Sequence, residues 1–221
     1  MIQLKDILEF LPFIIITFAA TFILLMEVFI KKSENQIFAF SILAVLAAIV
    51  SSFMNLHNGM VLFNQYIKIS NAAVAFNVII LIGILITILA SKNYIEKENI
   101  NFGEYYSLLL FSVMGMMLMI FANDILIIFI GLELMSICFY VLAGFLRLRQ
   151  KSNESALKYF LLGAFMTGFI LYGITLIYGI TGTTNLSTIY FNPKVFTNYV
   201  FIVGSGLFVI GFMFKIGVFP F

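Results

Sequence analysis

Seven runs of about twenty apolar residues set the architecture of this chain, because each is long enough to cross the ~30 Å hydrocarbon core of a bilayer as a helix. They cover residues 11–30, 37–54, 72–90, 105–121, 125–146, 157–180 and 199–221. Hydrophobic residues make up 63% of the 221 and charged residues only 10%, against about 25% charged in ordinary soluble domains. A soluble fold of this size cannot hide that much apolar surface, so the solvent is lipid. The reading is an all-α integral membrane protein of about seven transmembrane helices, with residues 1–221 forming a single membrane domain.

Short polar segments join the runs. Only Ala122, Asn123 and Asp124 separate the fourth from the fifth, which predicts a tight antiparallel hairpin with Asp124 as N-cap of the fifth helix. Loop cations orient the bundle. The segments after the first, third and fifth runs hold Lys31, Lys32, Lys92, Lys97, Arg147, Arg149 and Lys151. The N-terminus and the remaining loops hold Lys5, Lys68 and Lys194. Seven cations against three put the odd-numbered exits on the cytoplasmic or matrix side and the N-terminus outside. Residues 1–9 place Leu4, Ile7 and Leu8 at helical spacing among Gln3, Lys5, Asp6 and Glu9. That pattern fits a surface helix or an early start to the first span, and not a cleaved signal.

Several chemistries drop out. A net charge of +2 without a basic tract gives no reason to expect nucleic acid. Cys138 is the only cysteine, so an internal disulfide and a cysteine-ligated iron–sulfur or zinc site are excluded. His57 stands alone in a loop, which disfavours a histidine-rich metal or haem site. No nucleophile–base pair or phosphate loop is present. The chain is therefore expected to carry no cofactor, no metal and no redox centre of its own.

Three charged residues remain to be explained. Glu133 lies 8 residues beyond Ile125, about 12 Å into the fifth helix at 1.5 Å per residue. A charged group at a bilayer centre costs roughly 2.5–3.5 kcal/mol on insertion scales, and is tolerated where it faces a bundle interior or wet cavity or pairs with a cation. Lys158 and Lys215 fall in or at the rim of the sixth and seventh runs. One buried acid with two nearly buried bases is the composition of a proton path. Blander readings exist: Glu133 as a structural carboxylate, and Lys158 snorkelling to the head groups. Lys215 is harder to dismiss, because its neighbours are apolar and Gly217 and Pro220 follow it. The seventh span is expected to break there, as helices do at transporter ion sites. A cation at the end of a half-helix also gains from the negative end of its dipole. Glu27 reads as an i,i+4 partner of Lys31. Gly204 and Gly206 read as packing or hinge glycines, not a dinucleotide fingerprint. The methionines at 114, 116, 117 and 119 read as core filler.

Residues 130–136 (Ile-Gly-Leu-Glu-Leu-Met-Ser) and 140–143 (Tyr-Val-Leu-Ala) resemble the fifth helix of the antiporter-like subunits of respiratory complex I. Residues 156–164 (Ala-Leu-Lys-Tyr-Phe-Leu-Leu-Gly-Ala), 171–174 (Leu-Tyr-Gly-Ile), 178–183 (Tyr-Gly-Ile-Thr-Gly-Thr) and 214–221 (Phe-Lys-Ile-Gly-Val-Phe-Pro-Phe) extend the match. Together they are similar to the subunit N family of NADH-quinone oxidoreductase, the mitochondrial NADH dehydrogenase subunit 2 family. The likeness is dense over 124–183, weak over the first hundred residues and clear again at the end.

The resemblance implies an antiporter-like fold of about fourteen helices in two inverted five-helix repeats. Residues 1–100 would then be peripheral helices, and 105–221 the first repeat, incomplete. It implies a proton path in which a glutamate of the fifth helix pairs with a lysine of the seventh, positions occupied here by Glu133 and Lys215. Lys158 matches a relay lysine of the sixth helix. The family pattern continues past Pro220 and Phe221 with a histidine, a further lysine and the second repeat, so the sequence is expected to be the N-terminal half, from a split gene or as a fragment.

The expected function is proton translocation coupled to quinone reduction elsewhere in complex I. Protons would enter near Lys158, Lys215 would exchange them with internal water, and Glu133 would tune Lys215 electrostatically as the pair closes or opens. NADH, FMN, iron–sulfur clusters and quinone would sit on partner subunits. The partners of this chain would be other complex I membrane subunits, the lipid bilayer, protons and internal water, in a bacterial plasma membrane or mitochondrial inner membrane. One rival is a subunit of a multi-subunit sodium/proton antiporter or membrane-bound hydrogenase, against which segments 156–160 and 178–182 weigh. Another is a passive subunit that only seals the membrane arm.

Overall fold

Apolar runs become helices throughout the described residues. The computed structural model describes residues 10–29, 34–54, 60–62, 65–98 and 102–219. Among the described residues, six helices are long and apolar enough to cross a membrane: α1 (Leu11–Phe29), α2 (Glu34–Met54), α3 (Asn71–Glu98), α4 (Phe102–Phe121), α5 (Ile125–Ala143) and α6 (Gln150–Thr181). A short α7 (Leu186–Tyr190) and a 3-10 turn (Pro193–Thr197) lead into α8 (Tyr199–Lys215). At 17 residues, α8 rises only about 26 Å, less than a full crossing. The seventh span is therefore a shorter helix that stops where the break was expected. Residues 1–9, Lys31, Lys32, His57 and Pro220 lie outside the described residues, and with them the expected surface helix and the Glu27–Lys31 pair.

Helix lengths depart from the apolar runs where charged residues prolong the helix into water. α3 continues past Ala90 to Glu98, with Lys92 and Glu96 paired one turn apart at 3.9 Å. α6 begins at Gln150 instead of Leu157, because Lys151, Glu154 and Ala156 are good helix formers. α5 stops early, at Ala143, where Gly144 caps it.

Two hydrophobic cores build the bundle. The first gathers α1–α4 around residues such as Ile16, Ile23, Leu81, Tyr106 and Leu110. The second joins Ile125 and Leu132 of α5 to Ile170, Ile174 and Ile177 of α6, with Ile189, Val195 and Phe201. Glycines set the crossings, since a small residue lets backbones touch. A Cβ on Gly131 of α5 would lie 2.6 Å from the Gly115 carbonyl oxygen of α4. One on Gly173 of α6 would lie 2.6 Å from the Gly204 oxygen of α8. Gly204 is thus a packing glycine, one of the two roles read from sequence, while a Cβ added at Gly206 would meet nothing within 4 Å.

A polar belt ties one end of the bundle together. A two-stranded antiparallel hairpin, β1 (Met60–Leu62) with β2 (Ile67–Ile69), buries Ile67 and Ile69 and turns Lys68 outward. Strands of three residues are too short to show period-two patterning, so nothing in the sequence announced them. Asn123 and Asn185 each donate a side-chain amide to the Gln65 carbonyl, at 2.7 and 3.0 Å. Asp124 caps α5 as expected: its Oδ1 accepts from the Leu126 amide at 2.8 Å, and its Oδ2 accepts from the Thr184 hydroxyl at 2.6 Å. The α4–α5 hairpin, the β-hairpin and the loop after α6 are thereby held in one network.

Candidate functional site: a lysine–glutamate pair between three helices

The end of α8 creates the site. Gly217 takes a left-handed φ of 66°. Its amide bonds the Phe214 carbonyl and the Val218 amide bonds that of Met213, both at 3.0 Å. This double closure is the Schellman C-cap, and it leaves Lys215 in the last helical turn. The ammonium therefore sits beside the negative end of the α8 dipole. Its side chain is only 5% exposed, in a helix with apolar residues on either side.

α5 supplies what the ammonium needs. Lys215 Nζ donates to Tyr140 Oη at 2.9 Å and to Ser136 Oγ at 3.0 Å. Glu133 Oε1 stands 3.6 Å away, beyond ordinary hydrogen-bond length but well within ion-pair reach. Positions 133, 136 and 140 differ by three and four, so they share one face of α5. Nζ also lies 5.4 Å from the centre of the Tyr140 ring, within cation–π range.

α6 forms the third wall. Thr167 donates its hydroxyl to Glu133 Oε1 at 2.8 Å, the same oxygen that faces Lys215. It also lies 3.0 Å from the Gly163 carbonyl, one turn back. Tyr159 meets the Tyr140 ring edge-on at 4.7 Å, and Phe160 does so at 5.7 Å. Residues 159, 163 and 167 recur every fourth position and so line the α6 face turned to α5.

Of the three residues expected at the site, Glu133 and Lys215 are brought together. Lys158 is not: its side chain is 69% exposed and is paired with Glu154 one turn earlier on α6. Only its neighbour Tyr159 reaches the cluster. Glu27, whose expected partner Lys31 lies outside the described residues, accepts the Gly103 amide on its Oε2 at 2.9 Å, at the start of α4. Ser136, Tyr140 and Thr167 were missed as site residues. The signal for the first two was present, as polar groups at three- and four-residue steps from Glu133 along an otherwise apolar helix. Among the described residues no group of three or more His, Cys, Asp or Glu side chains could hold a metal ion.

A short helix thus ends at a largely buried lysine, with a glutamate facing it from the fifth span. Residues 122–221, slightly under half of the chain, match the family described as NADH:quinone oxidoreductase/Mrp antiporter, TM. NADH-quinone oxidoreductase subunit N of Trichlorobacter lovleyi is 40% identical over 215 residues, covering 96% of this chain and 44% of the relative. Subunit N 1 of Solibacter usitatus is 38% identical over 221 residues, covering 98% of this chain and 45% of the relative. The chain thus spans slightly under half the length of these curated relatives. Among solved structures, a chain of respiratory complex I from Thermus thermophilus superposes with a TM-score of 0.81 at 26% identity. The overlap covers 95% of this chain and 45% of that one. A chain of an archaeal membrane-bound sulfane sulfur reductase shares the fold, with a TM-score of 0.78 at 22% identity over 96% of this chain and 45% of that one. The protein is an integral membrane protein of the antiporter-like class.

Proposed function

We propose that the chain is part of a proton-translocating membrane subunit of respiratory complex I, in which NADH:quinone electron transfer on partner subunits drives proton movement past Glu133 and Lys215. The relatives' names support the assignment to complex I over a sodium/proton antiporter. The observation that carries the proton path is a lysine only 5% exposed and 3.6 Å from a carboxylate, between apolar helices. Such a pair is costly to keep for packing alone.

In this mechanism Lys215 is the group that takes and releases the proton, exchanging it with internal water. Glu133 sets how firmly the ammonium is held. Thr167 donates to the same carboxylate oxygen that faces Lys215 and so holds it toward the ammonium. Lys158 acts as a relay at the inner end of α6, where protons enter. NADH, FMN, iron–sulfur clusters and quinone act on partner subunits, with other membrane-arm subunits as neighbours of this chain.

The test is proton pumping by the assembled complex carrying Glu133→Gln or Lys215→Ala. Each is expected to lower protons moved per quinone reduced while the complex still assembles. Unchanged pumping and quinone reduction in both variants would refute the mechanism and leave the passive sealing role.

A further inference from the structure

The three oxygens around Lys215 differ in what they can do when the lysine loses its proton. Glu133, when ionised, can only accept. Ser136 is committed as well, because its own hydroxyl donates to the Leu132 carbonyl at 2.7 Å, leaving only its lone pairs for Lys215. Tyr140 differs: it accepts from Lys215 at 2.9 Å, and its O–H has no acceptor among the described residues. A neutral amine carries a lone pair that a phenol can donate to. The neutral amine keeps two N–H bonds for Ser136 and Glu133, and Tyr140 is the one of the three that can donate to its lone pair.

Its position depends on a missing side chain. A Cβ on Gly163 of α6 would fall well inside contact distance of Tyr140 Oη and 2.7 Å from its Cζ. The phenol has little room to step aside, with the edges of Tyr159 and Phe160 against its ring. We propose that Tyr140 is a positioning residue that holds Lys215 through its proton cycle, and that Gly163 is the socket that lets its hydroxyl reach the lysine. This rests on the proton-path reading above.

The test uses the assembled membrane complex with Tyr140→Phe, Gly163→Ala and the double variant, and Lys215→Ala for reference. Protons moved per quinone reduced are measured together with the amount of assembled subunit. A purely structural residue lowers assembly and both activities together and leaves that ratio unchanged. Tyr140→Phe keeps the ring and should assemble fully, yet lose at least half of the translocation that Lys215→Ala loses. Gly163→Ala should match it, and the double variant should be no worse than Tyr140→Phe alone, since the displaced hydroxyl is already gone. A normal ratio in Tyr140→Phe, with the ratio lost in Lys215→Ala, overturns the inference and spares the proton path. A normal ratio in Lys215→Ala as well overturns both. Additive losses in the double variant overturn the role given to Gly163.

Discussion

Replacing Lys215 by Met tests whether Glu133 and Lys215 act as a pair, and the geometry sets the size of the effect. At 3.6 Å and an effective dielectric near 20, the charges attract by about 4–5 kcal/mol before desolvation is subtracted. Removing one member of a buried pair strands the other, at about 3–5 kcal/mol. Glu133 is 24% exposed and keeps its Thr167 bond, so the lower end, about 3 kcal/mol, is expected for Lys215→Met. For a chain of this size that is a fall of roughly 6–12 °C in Tm. Glu133→Gln strands the ammonium but leaves it Ser136 and Tyr140, and should cost about 2 kcal/mol. The double variant buries no charge, so it should lie within about 1 kcal/mol of the parent. The chain supplies its own probe. Cys138, five residues past Glu133 on α5, is the only cysteine of the sequence and is 3% exposed. Maleimide labelling during a temperature ramp therefore reports opening of that helix. If the double variant loses the sum of the single losses, the two charges are not coupled and the electrostatic reasoning is wrong.

Four further outcomes are expected. Gly173→Val places atoms against the Gly204 oxygen and, at 2.8 Å from its Cβ, the Phe208 amide nitrogen; backbone cannot yield, so a loss of about 1–3 kcal/mol should lower the amount of chain in the membrane. Gly206→Ala on the same helix pair meets nothing within 4 Å and should be neutral or gain up to about 1 kcal/mol in the same measurement. Asp124→Ala releases the α5 cap and the Thr184 hydroxyl, a loss of about 2–3 kcal/mol in the thiol-labelling ramp. Lys158→Gln removes an exposed pair with Glu154 and should leave melting within about 1 kcal/mol, while slowing translocation if Lys158 relays protons.

Legibility in the sequence followed the length scale of the signal. Runs of twenty residues announced the spans, and Gly217 with Pro220 announced the end of α8, because a membrane helix has few other reasons to carry them together. Glu133 and Lys215 were visible because charge in an apolar run is rare. Their pairing was not derivable from periodicity and came from the family resemblance. Lys158 shows the limit of reading charge from position alone. It sits beside an apolar run, but α6 begins seven residues before that run, so Glu154 is helical and sits one turn away to pair with it. Thr167 was illegible for a different reason: a threonine in a membrane helix usually bonds its own i−4 carbonyl, and only the packing of α6 on α5 shows its second contact, with Glu133.

Rigid helix crossings surround a pair that stands at 3.6 Å and not at closest contact. α5 carries all three oxygen partners of Lys215, α8 carries the lysine, and α6 touches both, through Thr167 and Gly163 on one side and Gly173 on the other. The α6–α8 crossing is fixed by backbone contact, which tolerates almost no adjustment. The ion pair is not fixed in that way. With the same dielectric, closing the gap from 3.6 to 2.8 Å strengthens the attraction by about 1 kcal/mol, and opening it to 5 Å weakens it by about as much. Each is a factor of roughly five to ten in an equilibrium constant, obtained from a displacement of about an ångström. A side-chain rotation or a slight tilt of α8 supplies that much without unpacking either core. Rigid crossings around a loose pair are therefore the combination that lets a small movement elsewhere in a complex change how firmly Glu133 holds Lys215.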